Sequence, residues 1–297
     1  MPPLRTPLGL PEREATPPDD ELAALGARLF FDPELSVDRS VACASCHKPE
    51  LGFADSLPRS RGVRGQETER NAPSLLNRAF GEHFMWDGRA GTLEEQALLP
   101  IENPLEMDLP LEQVLARLSG DTAYRADFER VFARAPDSDG LSRALAAYVR
   151  RLVLGDSPVD RFRAGDFSAL DDAERAGLWF YESRGGCWRC HSGANFSDED
   201  FHDTGVGAHG DELEPGRFAV TKRPEDRGRF KTPTLRGVAR TAPYMHDGSI
   251  STLEEVVDFY RKGGRPHANL DPLIVPIEMS DADARNVVAF LRALSKE

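Results

Sequence analysis

Every cysteine in this chain stands in one of two copies of a single five-residue pattern, and nothing else in the sequence constrains the fold as strongly. The copies are Cys43-Ala44-Ser45-Cys46-His47 and Cys187-Trp188-Arg189-Cys190-His191. Two thiols three positions apart, with a histidine directly after the second, form the attachment signature of a c-type haem. The cysteines add across the porphyrin vinyl groups, and the neighbouring histidine gives a nitrogen to the iron. A redox dithiol or a four-cysteine zinc site also uses Cys-x-x-Cys, but neither requires a histidine after each pair. The expectation is two covalent haems, one on Cys43, Cys46 and His47 and one on Cys187, Cys190 and His191.

A chain of 297 residues is long enough for two ordinary domains. Hydrophobic residues at 40% and charged residues at 29% describe a globular protein, and no apolar run is long enough for a membrane span. The net charge of −13 argues against a nucleic-acid partner. It suits a redox partner with a basic patch, or simply solubility. The opening residues Met1-Pro2-Pro3-Leu4 show no apolar signal region. Attachment of c-type haem is completed outside the bacterial cytoplasm, so a periplasmic location is expected, with the export signal outside this chain.

Residues 1–20 read as an extended, proline-rich arm. Helical spacing of apolar residues predicts helices over 21–30, 93–99, 111–118, 141–154, 171–183 and 281–294. The stretch 57–73 reads as irregular and 195–229 as surface loop. The domain boundary is placed near Asp166, giving an N-terminal unit of 1–165 and a C-terminal unit of 166–297.

A repeat runs through both units. Met85, Asp87, Gly88, Thr92, Leu93, Glu94 and Glu95 recur as Met245, Asp247, Gly248, Thr252, Leu253, Glu254 and Glu255, always 160 residues on. Pro73 and Leu75 match Pro233 and Leu235 at the same spacing. In each copy Asp-Gly makes a turn and Thr92 or Thr252 caps a short helix. The helix after Thr252 presents Tyr260, and the first copy has Pro100 there. One iron then has a candidate side-chain ligand, while the other keeps a face open to a small oxidant. Met245 and Met279 are alternative ligands for the second iron. His83, His202, His209, His246 and His267 also compete; His246 is expected to support the second haem by hydrogen bonding, and the others to be surface or loop residues.

These residues resemble those of the bacterial di-haem cytochrome c peroxidases, and within that superfamily the group that includes MauG and MbnH. Besides the two haem motifs, the resemblance rests on Arg-Asn-Ala-Pro-Ser-Leu at 70–75, Trp-Asp-Gly-Arg-Ala at 86–90 and Lys-Thr-Pro-Thr-Leu-Arg at 231–236. Pro-Tyr-Met-His-Asp-Gly at 243–248 and Asp-Phe-Tyr at 258–260 complete it. It implies an all-α protein of two cytochrome c-like domains with long irregular loops, each domain holding one haem, and a calcium ion between them. The haem on His47 would be the peroxide site, lined by Gln96, Glu106 and Pro100. Trp86 would lie between the haems, His191 and Tyr260 would hold the second iron, and calcium would take Asn71 and the carbonyls of Thr241 and Pro243.

The loop 56–69 contains no histidine, whereas ordinary di-haem peroxidases bring one from there onto the first iron, and they place methionine where Tyr260 stands. Both departures favour the MauG-like activity, in which H2O2 generates a high-valent di-haem state that oxidises residues of a partner protein by long-range electron transfer. The alternatives are a peroxidase that reduces H2O2 to water with electrons from a small cytochrome c or copper protein, and a non-catalytic electron carrier. MauG has a tryptophan as its electron-transfer exit where this chain has Gly185, which leaves Trp188 and Trp179 as candidates.

Overall fold

The structure, a computed structural model, describes residues 7–11, 19–208 and 213–296. Most of the expected N-terminal arm (1–6 and 12–18) and His209 lie outside them. Among the described residues the longer helices are α1 (Asp20–Phe31), α2 (Leu93–Glu102), α3 (Leu111–Gly120), α4 (Thr122–Phe132) and α5 (Ser138–Val149). They continue with α6 (Pro158–Arg163), α7 (Asp172–Glu182), α8 (Leu253–Arg261) and α9 (Asp281–Ala293). The chain is mostly helical, and among the described residues a two-stranded antiparallel sheet sets Phe201 opposite Lys231.

Apolar side chains gather into two cores. The first joins Leu25, Leu29 and Phe30 of α1 to Leu141 and Leu145 of α5, with Leu93 and Ile101 of α2. The second joins Leu178 and Phe180 of α7 to Val287, Phe290 and Leu291 of α9, with Leu253 and Val257 of α8. The first cluster ends in sequence at Leu154 and the second begins at Val159.

The same device brings the main helix pair together in each core. A Cβ on Gly26 of α1 would lie 1.8 Å from the Ala144 carbonyl oxygen of α5, and one on Gly177 of α7 would lie 1.9 Å from that of Asn286 in α9. Only a hydrogen fits at either crossing. Gly177→Ala is therefore expected to destabilise the protein by about 1–3 kcal/mol, the usual range for overpacking, read as a lowered midpoint in chemical denaturation.

The repeat is visible in three dimensions. Phe84 bridges Ala90 as Tyr244 bridges Ile250, and Met85 and Met245 both have positive φ, at +68° and +73°. Thr92 accepts from the Glu95 N–H at 3.1 Å, and Thr252 from that of Glu255 at 3.2 Å. The copies also bond to each other reciprocally. The Asn71 N–H donates to the His246 carbonyl and the Lys231 N–H to the Trp86 carbonyl, both at 2.9 Å. Asn71 corresponds to Lys231, and Trp86 to His246, so one contact is made twice across the junction.

The structure corrects three expectations. The helix predicted over 141–154 ends at Val149, because the Asn77 side chain takes both polar groups of the Leu154 backbone. Its Nδ2 donates to the Leu154 carbonyl at 2.9 Å and its Oδ1 accepts from the Leu154 N–H at 2.8 Å. Helix α4, capped by Asp121, was not anticipated. The stretch 195–229 is more than surface loop: Phe196, Glu199, Phe201 and Asp203 in it are buried.

Candidate haem sites

The first cavity, about 210 Å³, is lined by Cys46 and His47 together with Trp86, Gln96, Pro100 and Glu106. Cys43-Ala-Ser-Cys46 forms one helical turn, closed by the His47 N–H donating to the Cys43 carbonyl at 2.9 Å. The His47 Nδ1 lies 3.0 Å from the Phe53 carbonyl oxygen. Helix α2 delivers Gln96 and Pro100 to the wall, and the turn after it delivers Glu106. Burial pushes the Glu106 carboxyl above its ordinary value, outweighing the Asn103 side-chain amide that donates to it at 2.7 Å. Gln96 is oriented by a long contact from its Nε2 to the Met85 sulfur, 3.8 Å. His83 also lines this cavity, and its ring packs against Phe201.

The second cavity, about 220 Å³, repeats the arrangement with Cys187, Cys190 and His191. The His191 N–H donates to the Cys187 carbonyl at 2.9 Å, and its Nδ1 lies 3.1 Å from the Phe196 carbonyl oxygen. Tyr260, Met245 and Met279 all line this cavity. Tyr260 comes from α8 as Pro100 comes from α2. Burial drives its phenol well above the usual range, and the nearby Cys190 and Cys187 add to the shift.

Trp86 lines both cavities, its indole N–H donating to the Asn71 carbonyl at 2.8 Å. Asn71, Thr241 and Pro243 all line the first cavity. His246 lies at the junction of the two repeat copies, its carbonyl accepting from the Asn71 N–H. Its ring stacks on Phe230 at 3.6 Å between centroids and lines the second cavity, and its buried Nε2 lies 3.5 Å from a Glu214 carboxylate oxygen. His267 lies in a loop, as expected, and His202 in the short strand; both side chains are paired. His202 is held between Asp271 at 2.8 Å and Asp198 at 3.0 Å, and the buried His267 side chain pairs with Asp203 at 3.0 Å. Trp179 and Trp188 are both exposed. The sequence reading missed Lys231, buried and lining both cavities. The signal was available, since the repeat pairs it with Asn71.

The donor set can be tested against haem and against zinc. Burial pushes Cys43 up to about 12, and Cys46 and Cys187 up to about 11. A thioether carries no charge, so these buried surroundings suit cysteines joined to a porphyrin. The cysteines are also divided between two cavities. Burial lowers both His47 and His191, keeping each imidazole neutral. With Nδ1 engaged by a carbonyl, Nε2 is left as the donor to a metal. The residues fit haem.

Fold and site together define a c-type protein with two haem sites. A family model described as di-haem cytochrome c peroxidase matches residues 20–168. The chain is 41% identical to the methylamine utilization protein MauG of Methylorubrum extorquens, over 99% of this chain and 84% of that one. It is 38% identical to the cytochrome-c peroxidase IdrP2 of Denitromonas iodatirespirans, over 97% and 84%. Among solved structures, a MauG-like protein associated with microbial copper homeostasis superposes with a TM-score of 0.87 at 33% identity, covering 97% of this chain and 95% of that one. The chain belongs to the di-haem cytochrome c peroxidase family and is a haem-dependent oxidoreductase with two haem cofactors.

Proposed function

We propose that this protein uses H2O2 to oxidise residues of a partner protein by long-range electron transfer, in the manner of the MauG and MbnH group, and that it works in the periplasm. The observation that carries this reading is the unequal pair at equivalent helix positions, Pro100 on the first cavity and Tyr260 on the second. Proline has no side-chain donor for iron, so the first site stays accessible to peroxide; a phenolate donates charge and favours an oxidised iron. When bound, the haems supply the redox chemistry with H2O2.

The protein's own residues do the rest. Glu106, within the first cavity, takes a proton from one peroxide oxygen and returns it to the departing one. Its raised affinity for protons suits a group that must hold one at intervals. Gln96 both donates and accepts, so it orients peroxide and the water formed. Trp86, bordering both cavities, is the path for electrons between the sites. Cys43, Cys46 and His47 hold one haem in the N-terminal unit, 1–165; Cys187, Cys190, His191 and Tyr260 hold the other in 166–297. The side-chain oxygen of Asn71 and the carbonyls of Thr241 and Pro243 are hard oxygen donors of the kind calcium takes.

A second reading, reduction of H2O2 to water at the expense of a small cytochrome c or copper protein, is supported by the 38% identity to a named cytochrome-c peroxidase. Steady-state assays separate the two. The first expects negligible continuous turnover with reduced cytochrome c and copper proteins; rapid turnover with either would overturn it.

A further inference from the structure

Lys231 is a buried cation that shares the Glu199 carboxylate with Arg78. Arg78 holds both oxygens of Glu199 at 3.0 Å. The Lys231 ammonium is left 3.5 Å from one of them and donates to the Thr232 carbonyl at 2.9 Å. Two positive charges and one negative charge are thus buried together. An excess buried charge is costly unless an anion meets it. Burial pulls the Lys231 ammonium down to about 7, with Arg78 adding to the effect and Glu199 and Asp198 opposing it. Lys231 also lines both cavities. Each haem brings carboxylate side chains of its own.

We propose that Lys231 is the shared counter-cation for the carboxylates of both haems, so that one protein charge sets the potentials of the two irons together. Its backbone is fixed to the junction by the N–H bond to the Trp86 carbonyl, which places the charge beside the route between the sites. At the equivalent place in the first copy the chain has neutral Asn71. The inference rests on the two-haem assignment and is independent of which reductant or protein substrate the enzyme uses.

The test is potentiometric titration of the di-haem holoprotein with optical and EPR detection, after confirming two haems per chain. Removing a cation favours the ferric state, so Lys231→Met is expected to shift both midpoints negative. Lys231→Arg is expected to keep both near the wild-type values. Glu199→Gln removes the anion and is expected to shift both positive. A Lys231→Met protein with two haems in which either midpoint stays put would overturn the proposal. If that variant does not load both haems, Glu199→Gln decides: a positive shift of both supports the proposal and any other result overturns it. Peroxide turnover of the same preparations reports separately on the proposed function.

Discussion

Glu106→Gln is expected to slow the reaction with hydrogen peroxide by about a hundredfold or more, the usual contribution of a positioned proton-transfer group. The replacement keeps shape and the contact to Asn103 while removing the exchangeable proton. The side chain lines the first cavity beside His47, Gln96 and Pro100, so a loss of rate with both haems retained isolates proton transfer from binding. The wild-type rate should also fall on the acid side as Glu106 takes up its proton. That limb is expected at a pH above the ordinary carboxyl value of 4.5, because burial raises this group. Stopped-flow rates against pH should show the limb in the wild type and not in the variant. A variant as fast as the wild type would remove Glu106 from the mechanism.

The second large effect concerns stability. Cys187→Ser combined with Cys190→Ser is expected to leave one covalent haem per chain and to unfold or loosen the part of the molecule built around the second core. A cavity of about 220 Å³ left without its occupant would cost up to about 5 kcal/mol at the rate observed for engineered core cavities. That is comparable to the whole stability of many domains. Limited proteolysis should cut 166–297 first, and the melting temperature of the doubly substituted protein should fall sharply. An unchanged melting curve with a single haem would mean that the second core closes without its porphyrin.

How much of this was legible beforehand follows from the kind of signal each element carries. The haem loops and the repeat around Thr92 and Thr252 were readable because their chemistry is local: cap, turn and ligand lie within a few residues of one another. Helix α4 was missed because it fully buries only Tyr124 and Phe128, and Arg125, Asp127, Glu129 and Arg130 break up its apolar pattern. The end of α5 is set by Asn77, more than seventy residues away in sequence, which no local pattern reveals. The stretch after Asn195 looked solvated because it is rich in charge. Two of its charges are instead buried and paired across the fold, Glu199 with Arg78 and Asp203 with His267. Composition cannot tell a buried, paired charge from an exposed one.

The candidate site follows the same division. Pro100 and Tyr260 could be matched by spacing alone, and the two residues do line different cavities. Spacing pairs Met245 with Met85 and so favours Tyr260, while all three of Tyr260, Met245 and Met279 border the second cavity.

The account turns on the inequality of the two iron sites, and the spectrum of the resting ferric protein tests it most directly. EPR and optical spectra before and after one equivalent of peroxide should show one high-spin and one low-spin haem, both altered by the oxidant. Tyr260→Phe should change the low-spin signal and leave the high-spin one as it was. Two low-spin haems that ignore peroxide, or a low-spin signal indifferent to the loss of the Tyr260 hydroxyl, would contradict it.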